Sequence, residues 1–351
     1  MIMPCVLGLI RKTFEDDGER AMALGLWGMV GAAGAAVGPL VGGTLLEHFW
    51  WGSVFLISVA VILIVATACY VLLPRIEQTT PGKWAIGQAL LLIAGMISLV
   101  YGIKAGFGGK QPLTIIVLAV VFGLAALTLF ARKQLRSSVP MLDLSLLARP
   151  AVVAGLIMAL VASGALAGVE LTLAQELQYV LGKTPLQAGI FMIPIMAAAA
   201  RGGPAAGYLS NRFGLRLVAA LSLAVSAGAL VFLARSDFHD PGVSVPLALA
   251  DLGLTLSIGL TASSIAIMGS VDASKGGAAG SLEATGYELG TGLGITLFGV
   301  FISSVFSRAI ELPSSLSQAL AEQASRTIGD AYIVASELPG EQGAALIEAG
   351  K

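Results

Sequence analysis

The chain has 351 residues and a formal net charge of −1, and 56% of its residues are hydrophobic while only 12% are charged. Its mean hydropathy of +0.89 lies well above the range of soluble proteins. A nearly neutral chain gives no reason to expect a nucleic-acid partner. With two cysteines, Cys5 and Cys69, a zinc site or a disulfide framework is disfavoured, and we expect buried, inert thiols. The composition therefore indicates a lipid bilayer as the surrounding solvent.

Nine apolar runs are long enough to cross a bilayer as helices, which need roughly 20 apolar residues each. The segment Met1–Ile10 is apolar but too short to cross, and we interpret it as the end of a tenth helix. The predicted spans lie near residues 23–46, 52–74, 84–104, 112–131, 151–179, 186–208, 217–234, 244–270 and 278–306. The sequence therefore predicts an all-α fold, that of a polytopic membrane protein.

Lysine and arginine are concentrated in every second loop. Loops rich in these residues usually stay on the cytoplasmic side of a membrane. The predicted cytoplasmic set consists of Arg11, Lys12, Arg20, Arg75, Lys83, Arg132, Lys133, Arg136, Arg149, Arg212, Arg216 and Lys275. Because all nine spans fit this alternation, the charge pattern supports the predicted number of spans.

The first complete span is unusually rich in glycine. Its glycines recur every three or four residues and share one side of a helix: Gly28, Gly31, Gly34, Gly38 and Gly42. Glycine costs a helix about 1 kcal/mol relative to alanine, but it lets a second helix backbone approach closely. Pro39 removes one backbone donor and can bend the helix. We therefore predict a smooth, kinked seam for a sliding or sealed helix interface, with a simple packing face as the alternative.

Part of this span resembles a known motif. The segment GAAVGPLVGG at residues 34–43 has the form GxxxGPxxGG and is similar to the antiporter motif of drug exporters in the major facilitator superfamily. The matching positions are Gly34, Gly38, Pro39, Gly42 and Gly43.

The following segments extend the resemblance to the fourteen-span drug:proton antiporters of that superfamily. LLEHFWWGSVFLISV at residues 45–59 resembles the start of their sixth span, although Gly52, Ser53 and Ser58 replace the usual Arg, Trp and Asn. The spans near 84–104 and 112–131 match their extra central pair. Within this branch the chain is most similar to exporters of methyl viologen and cationic antiseptics, through MALGLWG, GGTLLEHFWWGSVFLI, AQELQYV and YELGTGLGI.

A second motif lies between the sixth and seventh predicted spans. The segment GYLSNRFGLR is similar to the superfamily's cytoplasmic loop motif GxLxDRxGxR, with matches or substitutions at Gly207, Asn211, Arg212, Gly214 and Arg216. Asn211 stands where Asp is usual, which weakens a charge-relay role. We expect the two arginines to bond helix C-terminal carbonyl groups and the anionic inner surface, or to act as ordinary cytoplasmic anchors.

The resemblance implies a partial major facilitator fold, with about nine complete transmembrane helices plus the end of a tenth. Residues 1–74 would be the remnant of an N-terminal bundle, 75–132 two linker spans, 133–150 a cytoplasmic loop, 151–306 a C-terminal bundle of five spans, and 307–351 an outer loop before a missing last span. We expect one or two short helices in that outer loop. Both ends are interpreted as truncated, so we expect this chain alone to be an inactive fragment.

Ionisable side chains at membrane depth are costly, so each is a functional candidate. Glu288 is the first choice because it stands inside its span beside Tyr287, where a carboxyl group with little water can exchange a proton for a cation. A Glu that only hydrogen-bonds a neighbouring helix is the alternative. Glu283 lies about 140° away around the helix, and a structural or gating role is as plausible there. Glu170 and Glu176 lie towards the outer end of their span, and function and structure remain equally open for both.

The resemblance implies a proton-coupled multidrug antiporter of the bacterial inner membrane that exports lipophilic cations such as methyl viologen, dyes and cationic antiseptics. Its expected partners are these drugs, protons and the lipid bilayer, with no cofactor and no metal. An enzyme is disfavoured because the two histidines, His48 and His239, lie in outer loops without clustered ligands. A major facilitator carrier for another small metabolite, and a non-transporting membrane sensor or assembly protein, are the alternatives.

Overall fold

The computed structural model describes residues 2–72, 86–108, 111–137, 142–238, 240–310, 312, 316–338 and 340–349. Within these ranges every regular element is helical. Some predicted positions lie outside the described residues, among them Arg75, Lys83 and His239, together with the boundary drawn between residues 74 and 75.

The described chain contains fourteen α-helices. In chain order they are α1 (Ile2–Thr13), α2 (Asp17–His48), α3 (Ser53–Leu72), α4 (Ile86–Gly108), α5 (Leu113–Arg136), α6 (Pro150–Gln175), α7 (Pro185–Phe191), α8 (Ile193–Phe213), α9 (Leu215–Leu233), α10 (Ser244–Gly269), α11 (Gly276–Ala309), α12 (Gln318–Ala324), α13 (Ile328–Glu337) and α14 (Gly340–Ala349). A π-helical turn, Glu176–Val180, extends α6, and short 3₁₀ segments cover Leu144–Ala148 and Ala273–Lys275.

The number of spans agrees with the prediction. Among the described residues, eight helices are long and apolar enough to cross a membrane, and a ninth is counted if α7 and α8 form one bent span. Those two helices meet at 48°. Pro194, in the first turn of α8, has no backbone N–H to continue the ladder of α7, which accounts for the break. The short apolar N-terminal segment is helical, as predicted, in α1.

The helices pack around α10, which contacts α6, α8 and α9, while α11 lies against α6. The N-terminal helices meet this bundle in two places, because α2 lies along α8 and α1 lies along α11. Helices α4 and α5 pair mainly with each other. The division of the chain into domains at the predicted boundaries stays a prediction.

Residues of the predicted cytoplasmic loops meet at one end of the bundle, which we call the inner end. Arg11 of α1 donates two hydrogen bonds to the carbonyl oxygen of Val271, at 2.9 Å from Nε and 2.7 Å from Nη2. Lys275 pairs with Asp143 at 3.0 Å. Hydrogen bonds from Ser145, and then the Lys275 ammonium group, hold the pKa of the Asp143 carboxyl below its ordinary value.

An apolar cluster closes the same end, and we call it the inner-end cluster. It joins the N-terminal helices to α10 and α11, and its buried members are Leu7, Leu24, Phe130, Leu142, Leu146, Val152, Ile267, Met268, Val271, Ala279 and Leu282.

The segment after α11 forms three short helices, so the prediction of one or two was wrong. They enclose a small apolar core of Ala324, Ala331, Val334, Ala335 and Leu346. The hydroxyl group of Tyr332 donates a hydrogen bond to the carbonyl oxygen of Tyr179, in the π-helical turn, and the two rings lie 5.2 Å apart. The three-helix segment is therefore attached to the outer end of α6.

The prediction of buried thiols was also wrong. Cys5 and Cys69 are free, and both side chains are exposed. Their positions explain this result, because they lie on surfaces of α1 and α3 that the described chain does not cover, and α3 buries none of its residues.

Candidate functional site

A cavity of about 450 Å³ lies between α1, α2, α6, α8, α10 and α11. This volume falls in the range of small-molecule sites, about 300–1,000 Å³. Its described lining is mostly apolar and contains two carboxyl groups, Glu170 and Glu283, but no lysine, arginine or histidine. Trp27 and Tyr287 supply its aromatic surface. The cavity is therefore a largely apolar space whose ionisable groups are all acidic.

The two carboxyl groups stand at different depths. Both α6 and α11 begin at the inner end, and an α-helix rises 1.5 Å per residue. Glu283 comes seven residues after the start of α11, or about 10 Å, whereas Glu170 comes twenty residues after the start of α6, or about 30 Å. Glu283 therefore lies near the inner floor of the cavity and Glu170 in its outer part.

Glu283 is the more enclosed of the two groups, with only 2% of its surface exposed. Ser264 of α10 donates a hydrogen bond to its Oε1 atom. Its Oε2 atom is buried and has no hydrogen-bond partner among the described residues. An ionised carboxylate in that setting lacks compensation for its lost hydration.

Glu288 is placed on a different face of α11. Its side chain is exposed and does not line the cavity, while Glu283 is buried, so the predicted angular separation of the two is confirmed. The adjacent Tyr287 does line the cavity and interacts electrostatically with both Glu170 and Glu288. Glu288 therefore lies outside the cavity lining, although its neighbour Tyr287 forms part of that lining.

The two candidates on α6 are also separated. Glu170 is half-buried and lines the cavity. Glu176 begins the π-helical turn, where its carbonyl oxygen accepts a hydrogen bond from the N–H of Leu181 at 3.0 Å. Its half-buried side chain lies beyond the cavity lining, so the structure brings together Glu170 and Glu283 but not Glu176.

The glycine-rich face of α2 packs differently from the prediction. A Cβ atom at the four positions Gly31, Gly34, Gly38 and Gly42 would meet no described atom within 4 Å. Close approach occurs instead at Gly25, 2.6 Å from the carbonyl oxygen of Gly203, at Gly28, 3.0 Å from Oγ1 of Thr261, and at Gly43, 2.8 Å from Cα of Leu186. Gly28 therefore makes a close approach as predicted, whereas no described helix approaches the other four glycines, whose part in a seam stays a prediction.

A rotation around the helix explains the difference. At 100° per residue, the contacting edge of α2 lies roughly a third of a turn from the edge that carries Gly31 to Gly42. Helix α2 continues through Pro39 as one element of 32 residues. Pro39 belongs to the contacting edge, since its carbonyl oxygen lies 3.3 Å from the Cβ position of Gly189 in α7.

The loop motif joins α8 to the beginning of α2. A Cβ at Gly207 would lie 3.0 Å from the carbonyl oxygen of Ala21, and the amide nitrogen of Asn211 lies 3.4 Å from the Cβ position of Gly18. Gly214 links α8 to α9 with φ +85°, a conformation that favours glycine. The motif thus supplies a close helix contact and a tight turn.

The two arginines of the motif do not behave alike. Arg212 donates from Nη1 to the hydroxyl oxygen of Tyr208 at 3.0 Å and stacks on the ring of Phe213 at 5.6 Å. Among the described residues Arg212 thus bonds the phenol one turn earlier on α8 and not a helix carbonyl, which favours the alternative of a cytoplasmic anchor. Arg216 is exposed in the first turn of α9.

Comparison with known proteins identifies the family. Residues 1–295 match the Major Facilitator Superfamily. The chain belongs to this superfamily. Methyl viologen resistance protein SmvA of Salmonella typhimurium is 43% identical over 353 residues, covering 100% of this chain and 71% of that protein. Multidrug efflux pump LfrA of Mycolicibacterium smegmatis is 30% identical over 354 residues, covering 100% and 69%. Tetracenomycin C resistance and export protein of Streptomyces glaucescens is 28% identical over 310 residues, covering 87% and 56%.

Membership of the superfamily agrees with the all-α architecture and with the predicted branch of drug exporters. It also makes the chain a multi-pass membrane protein, which in a bacterium resides in the inner membrane. The residues singled out from the sequence did not include most of the cavity lining, among it Trp27 and Ser264. Trp27 lies within MALGLWG, which contributed to the resemblance, but the direction in which its side chain points depends on neighbouring helices.

Proposed function

We propose that this member of the superfamily is a proton-coupled multidrug exporter, acting as an antiporter and not as an enzyme. Its cargo is a lipophilic cation such as methyl viologen, a dye or a cationic antiseptic. The observation that carries the proposal is the charge of the cavity, whose described ionisable lining consists of two carboxyl groups. The relatives are named as resistance, efflux and export proteins, which supports the same activity.

Cationic cargo follows from electrostatics in an apolar space. A charged ligand loses its hydration on entering such a cavity, and a fixed charge of opposite sign offsets part of that loss. Glu170 and Glu283 supply negative charge without a neighbouring lysine or arginine in the described lining. An anionic cargo would meet only repulsion there, and a neutral sugar would meet few hydrogen-bonding groups.

Proton coupling is assigned to Glu283. Among the described residues its buried Oε2 atom has no hydrogen-bond partner, so an ionised Glu283 is costly unless a proton or a nearby cation neutralises it. Binding of a cationic cargo beside Glu283 therefore favours release of a proton, and return of the proton favours release of the cargo. Glu288 remains the rival for this role because it sits beside Tyr287 at the cavity wall.

The contact between α2 and α8 provides the surface along which the two halves move. Gly25, Gly203 and Gly207 bring the two backbones together there without intervening side chains. Such small-residue contacts let helices pack closely in a membrane, where apolar burial alone gives little drive for association. Alternating access is largely a rigid-body movement of one helix bundle against another, and a contact without intervening side chains suits such a movement.

The test is cation efflux from energised cells that lack their own pumps. Because this chain alone is expected to be inactive and covers 71% of SmvA, the cells express it joined to the flanking segments of SmvA, and all transport measurements below use that extended chain. The cells are loaded with ethidium or methyl viologen, and efflux is followed with and without a protonophore. We expect protonophore-sensitive efflux that the Glu283→Gln variant abolishes. Absence of efflux of both cations from the unsubstituted chain contradicts the proposed function.

Glu288→Gln is the matched control, because it changes the same functional group five residues away on the same helix. Since Glu288 is exposed and outside the cavity lining, we expect this variant to retain most of the efflux. Loss of efflux in Glu288→Gln, together with normal efflux in Glu283→Gln, would indicate that Glu288 is the proton-binding residue. Normal efflux in both variants would show that neither Glu283 nor Glu288 takes part in proton coupling.

A further inference from the structure

We propose that Trp27 and Glu283 together form a subsite for the flat aromatic ring of a cationic cargo, in the inner half of the cavity. The inference rests on the proposed function and adds to it the two side chains that distinguish planar aromatic cations from other cations among the cargo. Trp27 is the aromatic side chain that α2 contributes to the described cavity lining.

Two contacts place these side chains at the same level. Next to Trp27, the Cβ position of Gly28 lies 3.0 Å from Oγ1 of Thr261 in α10. One turn further along α10, Ser264 donates a hydrogen bond to Glu283 of α11. Thr261 and Ser264 are about 4.5 Å apart along the helix axis at 1.5 Å per residue. Trp27 and Glu283 therefore flank a single turn of α10 from two different helices.

The structure holds the indole group and leaves space beside it. Trp27 is half-buried and packs against the inner-end cluster, which limits the rotation of its ring. The next cavity-lining positions of α2 are Gly28, Gly31 and Ala32, which carry at most a methyl group. A Cβ at Gly31 would meet no described atom within 4 Å. A flat ring can therefore approach the indole without displacing a side chain of α2.

The chemistry of the pair selects for a planar aromatic cation. Tryptophan has the aromatic face that attracts cations most strongly, and the attraction grows when water is excluded. A flat cationic ring can stack on the indole while its charge remains near the carboxyl group of Glu283. A tetraalkylammonium ion is also a cation but has no flat ring, so it depends on the carboxyl group and much less on the indole.

The first experiment compares two probes, methyl viologen and tetrabutylammonium, in cells expressing the unsubstituted chain, Trp27→Leu or Trp27→Phe. We expect Trp27→Leu to weaken methyl viologen export at least about tenfold while tetrabutylammonium export changes much less. Trp27→Phe should restore a large part of the difference because it keeps an aromatic face. Trp50→Leu, at an exposed position near the outer end of α2, is the control and should match the unsubstituted chain.

The second experiment measures binding directly. Replacing Trp50, Trp51 and Trp84 by Phe leaves Trp27 as the only tryptophan of the chain. Methyl viologen should then quench its fluorescence in a saturable manner, and excess tetrabutylammonium should reverse the quenching by competing for Glu283. This measurement keeps the inference testable if Trp27→Leu fails to fold.

The outcomes separate the inference from the proposed function. The subsite is overturned if Trp27→Leu weakens export of both probes equally, or if methyl viologen causes no saturable fluorescence quenching in a chain that exports it. Either result leaves the proposed export function standing. Failure of the unsubstituted chain to bind or export either probe overturns the proposed function, and the subsite with it. Selective loss of the planar cation supports both.

Discussion

Gly203 is the position on α8 where an added methyl group should most disturb the contact with α2. A Cβ at this position would lie 2.2 Å from the carbonyl oxygen of Gly25 and 3.0 Å from the backbone nitrogen of Met29. Ordinary contact begins at 3.4 Å, so Gly203→Ala requires the two helices to separate locally by about 1.2 Å. Both neighbouring atoms belong to the backbone, so no side-chain rotation can relieve the overlap.

Overpacking of this kind typically costs 1–3 kcal/mol. Since 1.4 kcal/mol is a factor of ten, the folding equilibrium constant of Gly203→Ala should fall about 5- to 150-fold. The measurement is equilibrium unfolding of the purified protein in detergent, followed by circular dichroism. Export by the same variant should also decrease, because α2 and α8 can no longer keep their close contact.

Gly228→Ala in α9 is the control for helix propensity. A Cβ at Gly228 would meet no described atom within 4 Å, and alanine favours a helix over glycine by about 1 kcal/mol. This variant should be as stable as the unsubstituted chain or slightly more stable. If Gly203→Ala and Gly228→Ala were equally stable, the close α2–α8 contact would be refuted.

Three further predictions concern the loops and the outer segment. Asp143→Asn removes the pair with Lys275, so it should lower the free energy of unfolding by about 0.5–1 kcal/mol near pH 7. Because the pKa of Asp143 is lowered in the folded chain, this difference between the two chains should disappear as the pH falls below 3.8. Unfolding of both chains, measured as a function of pH, checks this prediction. Tyr332→Phe removes the hydrogen bond to Tyr179, so amide hydrogen exchange in α12–α14 should become faster, and unchanged exchange would exclude that attachment. Gly214→Ala forces a methyl-bearing residue to φ +85°, so it should lower stability by about 1–2 kcal/mol in thermal unfolding.

The spans could be predicted because their signal is local. A helix that crosses a bilayer must satisfy its own backbone hydrogen bonds and present an apolar surface of sufficient length, and both requirements are visible in a single run of residues. The bend between α7 and α8 was absent from the prediction, because a proline alone does not decide whether a helix breaks: the ladder stops at Pro194, whereas α2 continues through Pro39.

The orientation of individual side chains could not be predicted, because it depends on neighbouring helices. In α11, glycine and apolar residues occur on all sides, so its sequence does not reveal that Glu283 faces the cavity while Glu288 faces outward. The glycines of α2 show the same limit. Their spacing identifies an edge with little steric bulk, but the neighbours of α2 determine that Gly25 and Gly43 are contacted and Gly34 is not.

The two hydrogen bonds from Arg11 to the turn between α10 and α11 have a consequence for the population of conformational states. They join the N-terminal and C-terminal halves across the inner end, and hydrogen bonds from charged donors contribute about 1.5–3 kcal/mol each. An exporter loads its cargo from the cytoplasm, so both bonds must break before loading. Breaking them therefore adds to the free-energy difference between the form described here and a form open at the inner end, and a ligand that fits only the form described here would oppose that opening.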